Sequence, residues 1–271
     1  MILLKYTYYA FEIIFLFFIN LSTKNFLIFS PRYLSFIFKR VLIFNIKKNI
    51  FFVQKVRNFF DINTVYQIFG YEEYNLNRIY NWKKIISEFY NKNSKKSIIF
   101  DCGSNIGSSS RYFSEIYPKA KIISVEPDID NFYLAKKNID LSKTLLIKNA
   151  VASSNFNYDV KKKQDPRAHQ IKLNKKNTNN KTLTIKDLLK NNKRFKPFII
   201  KIDIEGFEDN LFKKNIKWMN DFKVIIIEIH DWMIPSGSFS SNFIISLAKI
   251  LKKNKRGLII QGENLISIRI N

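Results

Sequence analysis

Several residue types are scarce in this chain of 271 residues, and each scarcity excludes a class of protein. Cysteine occurs once, at Cys102, so no disulfide can form within the chain, and a reducing compartment suits it. Only two histidines accompany that cysteine, which excludes a zinc cluster built from cysteine and histidine ligands. The chain therefore depends on an ordinary apolar core, and 271 residues are enough for one large domain with an N-terminal extension.

Acidic residues are also scarce relative to basic ones. The chain has 22 Asp and Glu against 46 Lys and Arg, which gives a formal net charge of +24. Such an excess favours polyanions such as nucleic acid, anionic lipid or an acidic glycan. A high AT content of the coding sequence is the alternative explanation of this excess, because Lys, Asn, Ile, Phe and Tyr are all abundant. No aromatic and basic RNA-binding motif accompanies the charge, so we do not expect nucleic acid as a partner.

The N-terminus has no clean membrane-spanning run. Residues 6–21 are almost wholly apolar, but Glu12 interrupts them, and no convincing signal-peptide cleavage site follows. We expect residues 1–60 to form a helical extension that either attaches to a membrane surface or packs on the main domain. Residues 61–96 then form a helical lead-in and a linker. We expect the protein in the cytoplasm. If the extension attaches to a membrane, the expected surface is its inner face.

From residue 97 onward, short apolar runs alternate with segments of helical spacing. This order predicts a doubly wound α/β domain over residues 97–271, closed by two strands near the C-terminus. The Lys- and Asn-rich residues 153–182 predict irregular loops or a short antiparallel pair. Within them, we expect Arg167 and His169 at ordinary surface positions, with a mobile substrate-binding loop as the alternative.

The most informative segment is the strand-to-helix turn at residues 97–107. An apolar run ends in Asp101, and Gly103 and Gly107 then permit a tight turn and close backbone approach to a ligand. A second apolar run ends in Glu126, whose carboxylate can accept two hydrogen bonds from a ribose diol. Together they predict a site for a cofactor that carries a ribose. The Gly-x-Gly-x-x-Gly spacing of nicotinamide enzymes is absent, but an oxidoreductase on a similar fold stays an alternative.

Six motifs in this order resemble the FkbM family of S-adenosylmethionine-dependent methyltransferases. They are Asp-Cys-Gly-Ser-Asn-Ile-Gly (101–107), Glu-Pro-Asp (126–128), Asn-Ala-Val-Ala (149–152), Thr-Leu-Thr-Ile-Lys-Asp-Leu (182–188), Ile-Lys-Ile-Asp-Ile-Glu-Gly-Phe-Glu (200–208) and Ile-Glu-Ile-His (227–230). The resemblance covers roughly residues 97–232, and residues 153–182 depart from it.

The resemblance implies a class I methyltransferase (Rossmann-like) fold, with a mostly parallel seven-stranded sheet whose last strand is antiparallel. It implies methyl transfer from S-adenosylmethionine to oxygen, commonly on a sugar or polyketide hydroxyl, with a small-molecule or saccharide substrate. It also implies that Glu126 holds the ribose and that Asn149 and Ala150 flank the adenine. The residues implied to cradle the methionine part of the cofactor are Asp101, Gly103, Ser104, Asn105 and Gly107.

Residues at the ends of two later strands are the catalytic candidates. We predict Asp203 near the reacting methyl group, as a general base, a ligand of the cofactor's amino group or a metal ligand; a helix or turn cap is the alternative. Glu205 either contacts the substrate or makes a structural hydrogen bond, and His230 either removes a proton or is held in a loop. Glu208 is expected to be a solvated helix position. No metal is expected, although Asp203, Glu228 and His230 could gather around Mg²⁺.

An RNA-directed methyltransferase or a basic RNA-binding protein stays a further alternative. The acceptor atom and the oligomeric state are not determined by the sequence.

Overall fold

A computed structural model of the chain describes residues 21–91, 96–174, 180–231, 240–253 and 255–270, together with Phe11, Glu12, Ile14, Phe15 and Phe18. Most of the apolar segment at residues 6–21 and of the linker near residue 93 therefore lies outside the described residues, and the expectations for both stay predictions.

The N-terminal part contains an antiparallel sheet as well as helices. Its strands are β1 (Phe26–Ile28), β2 (Arg40–Asn45) and β3 (Ile50–Lys55), in the order β1-β2-β3. Its helices are α1 (Arg32–Phe38), α2 (Phe59–Val65) and α3 (Trp82–Asn91), with a π-helical segment at Tyr66–Gly70. The prediction of a helical extension is wrong for the three strands. Alternate residues of β2 are buried, which is the period of two expected of a strand. The sequence does not show this period, because apolar residues occur on both faces of the strand.

Polar contacts attach this small sheet to the main domain. Asn45 Nδ2 donates to Glu115 Oε2 at 3.0 Å, and the backbone N–H of Lys55 donates to Asn138 Oδ1 at 2.7 Å. The two parts also share one apolar core, in which Phe26, Phe69 and Tyr112 pack together. The described part of the extension thus packs on the main domain, as one of the two sequence interpretations predicts.

The main domain is built on a seven-stranded sheet in the order β11-β12-β10-β9-β4-β5-β6. The strands are β4 (Ser97–Cys102), β5 (Lys121–Glu126), β6 (Thr144–Lys148), β9 (Lys196–Ile202), β10 (Val224–Glu228), β11 (Arg256–Gln261) and β12 (Asn264–Arg269). The strands from β10 to β6 pair in parallel, and β12 is antiparallel to both of its neighbours. The predicted fold class is confirmed.

Helices cover the sheet: α4 (Ser108–Ile116), α5 (Ile129–Asn138), α6 (Ile185–Asn191), α7 (Glu208–Phe212) and α8 (Ser241–Lys253). Every residue of β4 is buried, as expected for a central parallel strand. Because β5 and β9 flank β4 on opposite sides, the chain leaves β4 at the switch point where ligands bind in such sheets.

The polar insert also has regular structure. Strands β7 (Tyr158–Lys161) and β8 (Gln170–Leu173) form the antiparallel pair that was one of the two predicted alternatives. Among the described helices, none is long and apolar enough to cross a membrane.

Candidate active site

Two glycines shape the turn after β4. Gly103 has a φ of +78°, and a Cβ added there would lie 1.7 Å from the carbonyl oxygen of Asp203. Gly107 has a φ of +83° and begins α4, and a Cβ there would lie 2.7 Å from Ile139. Only glycine combines this conformation with so close an approach. Gly103 therefore brings the loops after β4 and β9 together, and Gly107 brings the start of α4 against the end of α5.

Asp101 supports this turn from behind. Its carboxylate is buried, and its Oδ2 accepts hydrogen bonds of 2.6 Å from the hydroxyls of both Ser109 and Ser110 at the start of α4. Its other oxygen lies 3.4 Å from Lys201 Nζ. Asp101 lines neither of the two cavities described below, so we place it as a positioning residue for the loop.

Glu126 ends β5 at the first cavity, a space of about 520 Å³. Its carboxylate accepts from the backbone N–H groups of Asn105 at 2.8 Å and Asp128 at 2.9 Å. Burial, opposed by these hydrogen bonds, raises the pKa of Glu126 from its ordinary 4.5 to about 7. Other lining residues are Gly103, Asn105, Val125, Pro127, Asn149 and Ala150.

This pKa predicts a pH dependence of cofactor binding. The resemblance described above implies that Glu126 holds the ribose of S-adenosylmethionine. A protonated Glu126 can accept fewer hydrogen bonds from that ribose, so affinity for S-adenosylhomocysteine is expected to rise as pH rises through 7. We expect binding to be about tenfold weaker at pH 6 than at pH 8, measured by calorimetric titration. Glu126→Gln should bind weakly at both pH values. An equal pH dependence in that variant and the wild type would contradict the assignment.

The second cavity, about 890 Å³, opens beside the first and shares Gly103, Asn105 and Asp203 with it. Lys201 lies at its base and is almost wholly buried. Its Nζ donates to the carbonyl oxygen of Gly103 at 2.7 Å and lies 3.0 Å from Asp203 Oδ2. This lysine fixes one oxygen of Asp203, while Asp203 Oδ1 is buried without a hydrogen-bond partner.

His230 follows β10 and is held by Glu208. The His230 Nδ1 atom lies 2.9 Å from Glu208 Oε1, and both side chains are 2% exposed. Burial alone would lower the pKa of His230, but the hydrogen bond and charge of Glu208, with the charges of Asp203 and Glu205, raise it to about 10. The prediction that Glu208 is solvated is therefore wrong, because helix α7 turns its first residue inward to meet the histidine.

Glu205 and Glu228 complete the acidic side of this cavity. Glu205 has a φ of +54°, in a turn continued by Gly206 at +87°. Burial and the charge of Asp203 raise the pKa of Glu205 to about 8 and that of Glu228 to about 9. The tertiary structure thus brings together all three predicted catalytic residues, Asp203, Glu205 and His230.

The insert contributes to the site as well. Arg167 lines both cavities, and the His169 side chain, only 9% exposed, lines the first and lies 3.4 Å from Asp128. The expectation of ordinary surface positions is wrong, since the pair β7–β8 folds this loop over the ends of β5 and β6. Glu73 and Glu263 also line the second cavity, and no motif in the sequence marks either one.

The strand order, the glycine turn after β4 and the acid at the end of β5 define a class I methyltransferase. Residues 101–255 match the Methyltransferase FkbM domain, so the chain belongs to the FkbM methyltransferase family, whose methyl donor is S-adenosylmethionine. This membership removes the oxidoreductase alternative.

One curated relative and two solved structures illustrate the similarity. The relative is the hexuronic acid methyltransferase AglP of Haloferax volcanii, 27% identical over 142 residues, which are 51% of this chain and 58% of the relative. This chain thus spans somewhat over half the length of that relative.

Of the solved structures, a putative caffeoyl-CoA O-methyltransferase from Staphylococcus aureus has a TM-score of 0.41 and 13% identity, covering 76% of this chain and 92% of its own. The plantazolicin methyltransferase BpumL in complex with SAH has a TM-score of 0.36 and 12% identity, and the match covers 78% of this chain and 99% of BpumL.

Proposed function

We propose that this protein transfers a methyl group from S-adenosylmethionine to a hydroxyl oxygen of a sugar, within a glycan or a related metabolite. Family membership supports methyl transfer, and the similarity to a hexuronic acid methyltransferase supports a sugar acceptor. The arrangement of the two cavities supports the division of the site into a cofactor part and an acceptor part.

We infer that the adenosine part of the cofactor binds at the first cavity. Glu126 is placed to accept hydrogen bonds from the ribose, and Asn149 and Ala150 lie where they would flank the adenine. Gly103, Ser104, Asn105 and Gly107 form the turn toward the methionine part, with Asp101 behind it. When bound, S-adenosylmethionine supplies a methyl group that its sulfonium already activates, so the protein has only to align an acceptor and receive its proton.

The position of Asp203 is the observation that carries the proposal. Asp203 lines both cavities, and Lys201 anchors its Oδ2 while its Oδ1 has no hydrogen-bond partner. A sugar hydroxyl in the second cavity can donate to that free oxygen, which would orient the hydroxyl oxygen and receive its proton. Glu205 and His230 line the same cavity, which supports a role for both in contacting the acceptor.

A transfer assay with purified protein tests this function. We expect formation of S-adenosylhomocysteine and a methyl ether with a uronic acid or neutral glycoside, detected by mass spectrometry. Asp203→Asn should lower the rate by about 10²- to 10⁴-fold while cofactor binding persists, because general-base catalysis contributes about that much. Asp159→Asn, an exposed change on β7, is the matched control. Near-normal turnover by Asp203→Asn would remove it from the mechanism, and a folded protein that binds no cofactor would overturn the function.

We also propose that the N-terminal sheet attaches the protein to an anionic membrane surface, which on the cytoplasmic side would be the inner face. The outer face of this sheet exposes an aromatic cluster in which the rings of Phe29, Phe44 and Phe51 lie 4.8–6.1 Å apart. Phe29 is 51% exposed and Phe51 55%. Lys39 and Arg40 are exposed between α1 and β2, and aromatic and basic residues together suit an interface with anionic lipid.

Flotation with lipid vesicles tests this attachment. We expect binding to vesicles with anionic lipid, weaker binding to neutral ones, and about tenfold weaker binding for Phe51→Ser, since burying part of a phenylalanine contributes about 1.4 kcal/mol. Ile260→Ser, on the exposed edge strand β11, is the control and should bind as the wild type does. Equal binding of Phe51→Ser and the wild type would contradict the proposed surface.

A further inference from the structure

One ring nitrogen of His230 lies among carboxylates without a hydrogen-bond partner. The side chain is 2% exposed, and its Nε2 is 3.6 Å from Asp203 Oδ1, 3.7 Å from Glu205 Oε2 and 3.6 Å from Glu228 Oε1. These separations are too long for hydrogen bonds. A buried polar atom normally has a partner, so this nitrogen points to a ligand.

Glu208 occupies Nδ1 of His230 and so leaves Nε2 as the ring nitrogen that is available to a ligand. Its Oε1 lies 2.9 Å from His230 Nδ1 and also accepts from the backbone N–H of Ile204 at 3.3 Å. A bound cation would displace the proton from Nε2 while Nδ1 keeps its proton toward Glu208, and the lone pair of Nε2 would then face the ion among the three acidic side chains. A carboxylate that orients a histidine in this way is the usual support of a metal-binding imidazole in proteins.

The spacing of the acidic side chains suits a single ion. One ligand atom each from Asp203, Glu228 and His230 lies within 4.8 Å of the others. Bonds of about 2.1 Å to a common ion separate neighbouring ligand atoms by about 3 to 3.5 Å. The two separations of 3.6 Å from His230 Nε2 are close to this range, and the Asp203 and Glu228 oxygens, which lie within 4.8 Å of each other, would move together around the ion.

The charges around the cavity also favour a bound cation. Glu73 and Glu263 line it in addition to the acidic residues near His230. Among the described lining residues, the basic side chains Lys201 and Arg167 already have acidic partners: Lys201 contacts Asp203, and Arg167 contacts Asp165 at 2.7 Å. The second cavity thus has more carboxyl groups than cationic groups along its lining, and a bound cation would stabilise their ionised forms.

We propose that Asp203, Glu228 and His230 bind a divalent transition-metal cation at the acceptor end of the site. One imidazole and two carboxylates suit Mn²⁺, Fe²⁺ or Zn²⁺ better than Ca²⁺, which takes oxygen ligands alone. Resting on the proposed function, we further infer that the cation holds the acceptor sugar through hydroxyl or carboxylate oxygens. Asp203 Oδ1 would keep a second lone pair for the acceptor hydroxyl.

Titration of the purified protein with Mn²⁺ alone tests the site, with the loss of the free-ion signal in electron paramagnetic resonance as readout. We expect one tight site in the wild type and at least tenfold weaker binding in both Glu228→Gln and His230→Gln. Glu208→Gln, which removes the carboxylate that orients the histidine, should weaken binding about tenfold to a hundredfold. Asp159→Asn, at an exposed position on β7 outside the lining of the second cavity, is the control, with binding unchanged.

Two results would overturn the inference: no Mn²⁺ binding by folded wild-type protein, or unchanged binding in Glu228→Gln and His230→Gln. Circular dichroism and cofactor binding establish that each variant is folded. A transfer assay separates this inference from the proposed function. Transfer that persists without any Mn²⁺ binding overturns the metal site alone, whereas Mn²⁺ binding without transfer to any sugar leaves the site standing and overturns the proposed function.

Discussion

Replacing Lys201 by methionine is expected to lower the free energy of unfolding by about 3 to 5 kcal/mol, because it leaves buried carboxylates without a cation. Lys201 is 2% exposed and lies between Asp101, fully buried, and Asp203. Burial alone would lower the pKa of Lys201, but the charges of Asp203 and Asp101 outweigh it and raise the pKa well above its ordinary value. The lysine is therefore charged in the folded protein, and methionine matches its length without its charge.

Urea denaturation followed by circular dichroism measures this loss. Lys148→Met makes the same change at an exposed position at the end of β6 and should alter stability by less than about 0.5 kcal/mol. If Lys201→Met does not fold, the double variant with Asp101→Asn should recover soluble protein, since it removes one of the unpaired charges. A loss below about 1 kcal/mol in Lys201→Met would contradict the role of this ion-pair cluster.

Gly103→Ala is expected to cost about 3 kcal/mol or more and to abolish cofactor binding. Its added Cβ would lie 1.7 Å from the carbonyl oxygen of Asp203, and neither backbone can yield without moving the end of a central strand. The positive φ of +78° alone contributes about 1 to 2 kcal/mol for a residue with a side chain. The remainder comes from separating the loops that follow β4 and β9.

Gly262→Ala is the matched control for this change. Gly262 also has a positive φ, of +60°, but no atom lies within 4 Å of an added Cβ. It should cost about 1 kcal/mol and leave cofactor binding intact. Thermal unfolding and calorimetric titration with S-adenosylhomocysteine measure both effects. Equal losses in the two variants would show that conformation, and not the close approach to Asp203, makes Gly103 necessary.

The main domain could be predicted closely from sequence because its signals are local. Each strand is a short apolar run, and acids in its last positions, such as Asp101 and Glu126, mark the carboxyl edge of the sheet. The N-terminal sheet could not be predicted in this way. Its strands expose apolar side chains such as Leu42 and Phe51, so the alternation that normally distinguishes a strand is lost.

The sequence by itself determined the fold class, the glycine turn at Gly103 and Gly107, and the identity of the acids at the strand ends. These follow from backbone conformation and from periodicity, which act over a few residues. Only the tertiary structure decided that Glu208 lies against His230, that Arg167 reaches the cavity from the insert, and that Glu73 joins the acidic group. Such contacts join residues distant in sequence, and burial in a shared cavity changes their charge and reactivity in ways that no local pattern encodes.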